Sequence, residues 1–112
     1  MGQLDQFRTT LATYRQYGWQ LARVLMSPAT LAEFRAATGG EEFESLTARE
    51  FPLDALWFVR AAEGGREAWE LRLVSESPYA LFELFEPDEA EEDREDMRRE
   101  MEAKMRERMN VE

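Results

Sequence analysis

The sequence predicts a single α+β domain: two N-terminal helices, a small antiparallel β-meander of about three strands, and a charged C-terminal helix. Apolar residues recur at helical spacing near the N-terminus. Further along, two β-prone apolar segments flank a Gly-Gly turn. A chain of 112 residues fits one hydrophobic core. We therefore assign residues 1–87 to a helix–helix–meander core and residues 88–112 to a C-terminal helix of the same domain.

The first segment, residues 3–26, predicts one long amphipathic helix. Its a and d heptad positions are filled by Leu4, Phe7, Leu11, Tyr14, Leu21 and Leu25. Gly18 lies on the same stripe, where it either permits close approach of another backbone or weakens the helix. We interpret the stripe as the core-facing side of an ordinary helix, and an intermolecular coiled coil is the alternative.

A second helix is predicted over residues 28–38. Ser27-Pro28 is typical of a helix start, because serine caps free backbone N–H groups and proline fits the first turn. Gly39-Gly40 is typical of a helix end. Residues 41–52 favour a short helix or a loop, which Pro52 terminates.

The clearest local signal is a β-hairpin around Gly64-Gly65, because glycine supplies the positive φ angles of a two-residue type I′ turn. Such a turn fixes the register and places Trp57 opposite Arg72, where we expect a cation–π contact. Residues 79–86 favour a third strand, and a helix is the alternative, because Ser77-Pro78 also resembles a helix start. A hairpin alone is only marginally stable in water, which also argues for a third strand.

Residues 88–110 predict a highly charged helix, acidic at its start and basic at its end, as the helix macrodipole favours. Its most unusual feature is a face of methionines at four-residue spacing: Met97, Met101, Met105 and Met109. Packing on the domain itself, self-association and binding of a protein partner each explain this face, since methionine adapts to varied surfaces. Thioether binding of Cu(I) is a further alternative.

The strand at 55–62 is apolar on both faces and therefore needs two covers. The N-terminal helices supply one, whereas the methionine face is a narrow cover for Trp57 and Val59. The sequence therefore predicts a homodimer, with Trp57, Val59 and Arg72 as self-association candidates beside the four methionines. A protein partner bound through the C-terminal helix is the alternative.

The chain contains no histidine and no cysteine. This excludes Ser-His-Asp and Cys-His catalysis, zinc fingers and disulfides. Glu70 and Glu83 would lie on neighbouring strands and could form a catalytic carboxylate pair. A structural ion pair between Glu70 and Arg72 is the simpler interpretation. We find no catalytic motif and no cofactor fingerprint, and we expect neither catalysis nor a cofactor.

Two resemblances to known families widen the alternatives. Glu91-Glu92-x-x-Glu95 resembles the first carboxylate motif of MazG-type nucleotide pyrophosphohydrolases, which implies binding of a divalent metal. The second motif of that family, Glu-x-x-Asp, does not follow. In size, acidity and kinds of element, the chain is similar to type III secretion chaperones of the Tir-chaperone class. That resemblance has no motif, so no site residue is transferred.

The formal net charge is −10, from 24 acidic and 14 basic residues. Such a surface repels phosphate backbones, and no apolar run is long enough to span a bilayer, so we expect neither nucleic-acid nor membrane binding. No signal peptide is visible, so a cytoplasmic location is expected. The sequence therefore favours a non-catalytic interaction, adaptor or chaperone-like protein. The alternatives are a small carboxylate enzyme using a divalent metal and an acidic regulatory subunit with a basic partner.

Overall fold

A computed structural model describes residues 2–40 and 42–111, without the side chains of residues 109–111. Within these residues the chain forms three α-helices around one mixed sheet. The helices are α1 (Gln3–Gln16), α2 (Pro28–Thr38) and α3 (Glu91–Val111). The strands are β1 (Gln20–Met26), β2 (Glu42–Phe43), β3 (Leu46–Glu50), β4 (Ala55–Ala61), β5 (Glu67–Leu73) and β6 (Ala80–Phe85). The predicted α+β class is confirmed, but the sheet is larger than the predicted meander.

The strand order is β2-β3-β1-β4-β5-β6. Strands β1 and β3 are parallel, and every other neighbouring pair in this order is antiparallel. Helices α1 and α2 pack on one face of the sheet, here called the α1 side, and α3 packs on the other, the α3 side. The predicted third strand, antiparallel to the second strand of the hairpin, is confirmed as β6.

The predicted long helix over residues 3–26 is wrong in its second half. Helix α1 ends at Gln16, and Gly18 adopts a left-handed φ of 86°. The chain then enters β1, in the middle of the sheet. A central strand covered on both faces has apolar residues without alternation, so over this short length its sequence also fits the heptad pattern.

Residues 41–52 hold a β-hairpin instead of the predicted short helix or loop. Strands β2 and β3 pair through Phe43 and Leu46, and the two residues between them, Glu44 and Ser45, have φ angles of 53° and 68°. Two positive φ angles are the mark of a type I′ turn, which normally selects glycine or asparagine. Because neither residue type is present, the sequence carries no turn signal here.

The central hairpin forms with a register one residue away from the predicted one. Gly64 and Gly65 do have positive φ angles, of 72° and 76°, but they belong to a three-residue loop, Glu63–Gly65. The extra loop residue places Trp57 opposite Leu71 and Leu56 opposite Arg72. Because side chains alternate between faces, this shift separates Trp57 from Arg72.

The local signals around α2 are confirmed. The Ser27 hydroxyl accepts a hydrogen bond from the backbone N–H of Thr30 at 3.3 Å, as an N-cap should. At the other end Gly39 adopts a left-handed φ of 77°, and its N–H bonds to the carbonyl of Arg35 at 2.7 Å.

Two apolar cores lie on the two sides of the sheet. The α1-side core is built on Phe7, Leu11, Tyr14, Phe34, Leu56 and Phe58, with smaller neighbours. The α3-side core is built on Leu25, Trp57, Trp69, Leu71, Phe85, Met101 and Met105, with smaller neighbours. Trp57 is fully buried beneath α3, so the C-terminal helix provides the second cover that the sequence called for.

Candidate interaction surface

Helices α1 and α2 cover only part of their side of the sheet. The apolar core beneath them contains no residue of β5 or β6 among the described residues. On this side, Ala68, Glu70 and Arg72 of β5 stand opposite Leu84, Phe82 and Ala80 of β6. We call the uncovered surface the open face; its principal side chains are Tyr17, Trp19, Arg60, Glu70, Arg72 and Phe82.

The open face carries the large hydrophobic side chains that are most exposed in the described part of the chain. Tyr17 is 65% exposed and Phe82 is 56% exposed. Trp19 lies between the end of α1 and β6, and its ring meets Phe82 edge-on at 6.5 Å. Aromatic side chains from α1, the α1–β1 connection and β6 therefore form a strip across this surface.

Arg60 contacts this strip at Tyr17 and Trp19. Its guanidinium lies 4.9 Å from the centroid of the Trp19 ring and donates to the carbonyl of Tyr17 at 2.9 Å. A guanidinium over an indole face is attracted by the ring quadrupole. This contact ties β4 to the α1–β1 connection, so Trp19 is presented in a defined orientation.

Tyr14 and Glu70 form the polar floor of the open face. The Tyr14 ring stacks on Phe58 at 4.0 Å, and its hydroxyl donates a hydrogen bond to the Glu70 carboxylate. Burial, together with the adjacent Glu70 carboxylate, raises the pKa of Tyr14 to about 12. The phenol therefore keeps its proton at neutral pH and acts as a donor. A cleft of about 280 Å³ opens above this pair, bordered by Trp19 and Arg72.

The carboxylate pair considered from the sequence does not form. Glu70 stands opposite Phe82 on the α1 side, whereas Glu83 stands opposite Trp69 on the α3 side. The sheet therefore separates the two carboxylates, and no paired acid and base arise from them.

The site residues predicted from the sequence lie in different parts of the structure. Met101 and Met105, 3% and 0% exposed, belong to the α3-side core, and Met97 packs partly buried against it. The side chain of Met109 lies outside the described residues. Trp57 and Val59 also face the α3 side, and the expectation that Arg72 shares their face is wrong: Arg72 lies on the open face.

Buried charges on α3 are the feature that sequence reasoning missed. Arg98 is 2% exposed, and its guanidinium lies 3.9 Å from the centroid of the Trp69 ring. It pairs with Glu91 at 2.8 Å and with Glu95 at 2.9 Å. In sequence these residues are part of a uniformly charged helix, and nothing distinguishes Arg98 from the exposed arginines around it.

Glu95 also links α3 to the centre of the sheet. Arg23 of β1 donates to both of its carboxylate oxygens, at 2.7 Å and 3.0 Å. The hydrogen bond from Arg23 is the main reason that the pKa of Glu95 falls to about 2. Two carboxylates of the MazG-like motif, Glu91 and Glu95, are thus engaged by arginines. Within residues 2–40 and 42–111, no three His, Cys, Asp or Glu side chains are placed to hold a metal ion.

The chain matches no protein-family model, no curated protein and no solved structure. Among the described residues, none of the three helices combines the length and the hydropathy that a bilayer-spanning helix needs.

Proposed function

We propose that this chain is a non-catalytic adaptor that holds a polypeptide partner on its open face. The observation that carries the proposal is the uncovered half of the sheet on the α1 side, with the exposed rings of Tyr17 and Phe82 on it. Contiguous exposed aromatic surface with a polar margin is typical of protein-binding sites. Aromatic side chains also supply much of the binding free energy at such sites.

The side chains of the open face indicate which kind of polypeptide it would bind. The strip between Tyr17 and Phe82 accepts apolar side chains, and the cleft above Tyr14 and Glu70 offers a carboxylate to a donor group. The net charge of −10 attracts and orients a basic chain. The expected partner is therefore a polypeptide segment that combines apolar residues with a basic residue for the Glu70 carboxylate.

The open face is a better candidate than the methionine face of α3. Met101 and Met105 are committed to the α3-side core, so a partner could reach them only if α3 left the sheet. Tyr17 and Phe82 need no such rearrangement, because their rings are exposed in the folded chain. The predicted homodimer remains compatible with this function and is considered below.

The proposal is tested with a displayed library of random peptides selected on the intact protein. We expect enrichment of peptides that combine apolar residues with a basic residue. Their addition to isotopically labelled protein should shift the NMR signals of Tyr17, Trp19 and Phe82. Replacing both exposed rings, in a Tyr17→Ser, Phe82→Ser variant, should weaken peptide binding at least about tenfold, the loss of roughly 1.4 kcal/mol.

The matched control keeps the apolar surface while changing the same positions. A Tyr17→Phe, Phe82→Leu variant should bind the selected peptides within a few-fold of the original protein. The proposal fails if selection enriches no peptide, or if the serine variant binds as well as the control. It also fails if the shifted signals cluster on α3 instead of the open face.

A further inference from the structure

The open face ends at a strand edge that pairs with no further strand in the described part of the chain. Strand β6 is the last strand of the sheet and is six residues long. The opposite edge, β2, has only two residues and offers little backbone to another chain. An exposed edge with free N–H and C=O groups is a template for a further strand, so the question is which strand β6 accepts.

The outward-facing backbone groups of β6 can be identified from its pairing with β5. The N–H of Leu73 donates to the carbonyl of Tyr79, so residues 73 and 79 are a hydrogen-bonded pair in this ladder. Hydrogen-bonded and non-hydrogen-bonded pairs alternate along antiparallel strands. Residues 81, 83 and 85 therefore bond to β5, whereas Ala80, Phe82 and Leu84 point their N–H and C=O groups away from the sheet.

We propose that β6 pairs with the β6 strand of a second copy, antiparallel and with Phe82 opposite Phe82. This inference rests on the proposed function only in treating the open face as an interaction surface. A two-fold axis through the Phe82 pair places Ala80 of each copy opposite Leu84 of the other. All three outward-facing residues of both strands then form hydrogen-bonded pairs, with none left over.

Other registers of the two β6 strands either leave an outward-facing residue unpaired or place like charges opposite each other. Moving the axis to Leu81 leaves Leu84 beyond the pairing, and moving it to Glu83 sets two carboxylates directly opposite each other, which is unfavourable. In the Phe82-centred register, Leu81 instead lies opposite Glu83 of the second copy. That carboxylate is diagonal to Tyr79, whose ring carries the Arg108 guanidinium at 4.4 Å from its centroid. The same carboxylate is also diagonal to Glu83 of the first copy, so the register replaces direct opposition of the two carboxylates by a longer diagonal separation, with an Arg108 guanidinium near each of them on the α3 side.

The side chains on the open face favour the same arrangement. Ala80, Phe82 and Leu84 all lie on the α1 side, so the pairing brings apolar residues of the two copies together there. The Phe82 rings, 56% exposed in one chain, would pack side by side, which leaves their outer faces on the joined open face. The two open faces would join into one surface with an α1 helix at each margin.

The test uses a proline that leaves the fold of the chain intact. The N–H of Ala80 points away from β5, so Ala80→Pro removes no bond within the chain but blocks approach of a second strand. Ala80→Ser, which keeps the N–H, is the control. Sedimentation velocity up to high micromolar concentration should give twice the 13.1 kDa chain mass for the original protein and for Ala80→Ser. We expect Ala80→Pro to dissociate at least about tenfold more readily.

Hydrogen exchange provides a readout that needs no variant. At dimer-forming concentration, the amides of Phe82 and Leu84 should exchange at least about tenfold more slowly than in dilute protein, because opening must then include dissociation. The amides of Leu81 and Glu83, bonded to β5, should change less. A monomer at every concentration, equal association of the proline and serine variants, or concentration-independent exchange of Phe82 would each overturn the proposal.

The outcomes of this experiment and of the peptide experiment are separable. If the inference alone fails, Ala80→Pro and the original protein have the same mass, and selected peptides still shift the signals of Tyr17 and Trp19. If the proposed function alone fails, no peptide is selected, yet the exchange of Phe82 still depends on concentration.

Discussion

Trp57 donates its indole N–H to a carboxylate oxygen of Glu102 over 2.8 Å, at the contact between β4 and α3. The same oxygen accepts a hydrogen bond from Arg49 at 2.6 Å. Both Trp57 and Glu102 are buried, so loss of the carboxylate would leave the Trp57 N–H unsatisfied, whereas loss of the indole would leave the carboxylate with Arg49. Methionine packing tolerates sliding, whereas a buried hydrogen bond has one geometry. We infer that this pair fixes the position of α3 along the sheet.

Removing the Glu102 carboxylate should destabilise the protein. Glu102→Ala leaves the Trp57 N–H unpaired, and we expect a loss of about 2–4 kcal/mol in the free energy of unfolding, measured with urea. Glu102→Gln keeps an acceptor oxygen and should lose less. A double-mutant cycle with Trp57→Phe should give a coupling of about 1 kcal/mol or more. Equal losses for alanine and glutamine, without coupling, would contradict this role.

The methionine face should behave as core. A Met101→Glu, Met105→Glu variant places two unpaired charges in the α3-side core, so we expect a loss of several kcal/mol in the free energy of unfolding. Thermal and urea unfolding measure it. Lys104→Glu, at an exposed position between them, is the control for added negative charge and should change stability little. Unchanged stability of the double variant would instead make this face a partner surface.

Replacing Gly18 distinguishes a continuous helix over residues 3–26 from a helix and a strand joined by a turn at Gly18. In the structure its φ is 86°, so Gly18→Ala should destabilise the protein by about 1–2 kcal/mol, although a Cβ there meets no atom within 4 Å. A continuous helix would instead gain about 1 kcal/mol from alanine. Urea unfolding distinguishes the two signs. Gly40→Ala is the control, because a Cβ there also has free space and its φ is not positive.

The elements that sequence predicted well depend on residues close together in the chain. The Ser27 cap and the left-handed Gly39 each act within one helical turn, so their residue types are informative by themselves. The register of the central hairpin failed because a three-residue loop and a two-residue loop both use Gly64 and Gly65. A single additional loop residue then exchanged the face on which Arg72 lies.

The candidate surface was harder to predict because its parts are distant in sequence. Trp19 and Phe82 meet only because β1 and β6 belong to one sheet, and the prediction of a helix through Trp19 removed that possibility.

The buried charges of α3 were missed for a different reason. In sequence, Arg98 and Glu102 look like solvent-facing charges. Their burial depends on Trp69 and Trp57, whose polar and π surfaces can accommodate charge. A binary apolar pattern cannot represent such contacts.

Acid should weaken the attachment of α3 to the sheet through Glu95. Its pKa lies at about 2 in the folded chain, below the ordinary value of 4.5, so folding favours the ionised form. The resulting stability is complete above about pH 5 and is lost as the pH falls towards 2. We expect Glu95→Gln to cost about 1–2 kcal/mol at pH 7, a figure that allows for partial screening, because the Glu95 side chain is 31% exposed.

The pH dependence distinguishes this electrostatic role from simple loss of packing. In urea unfolding, the difference between the original protein and Glu95→Gln should stay constant from pH 7 to about pH 5 and then shrink towards pH 2, because protonation removes the charge that the variant lacks. Glu100→Gln, at an exposed position on the same helix, is the control and should differ little at any pH. A Glu95→Gln difference that stays constant with pH would mean that the Arg23 contact acts through hydrogen-bond geometry and not through charge.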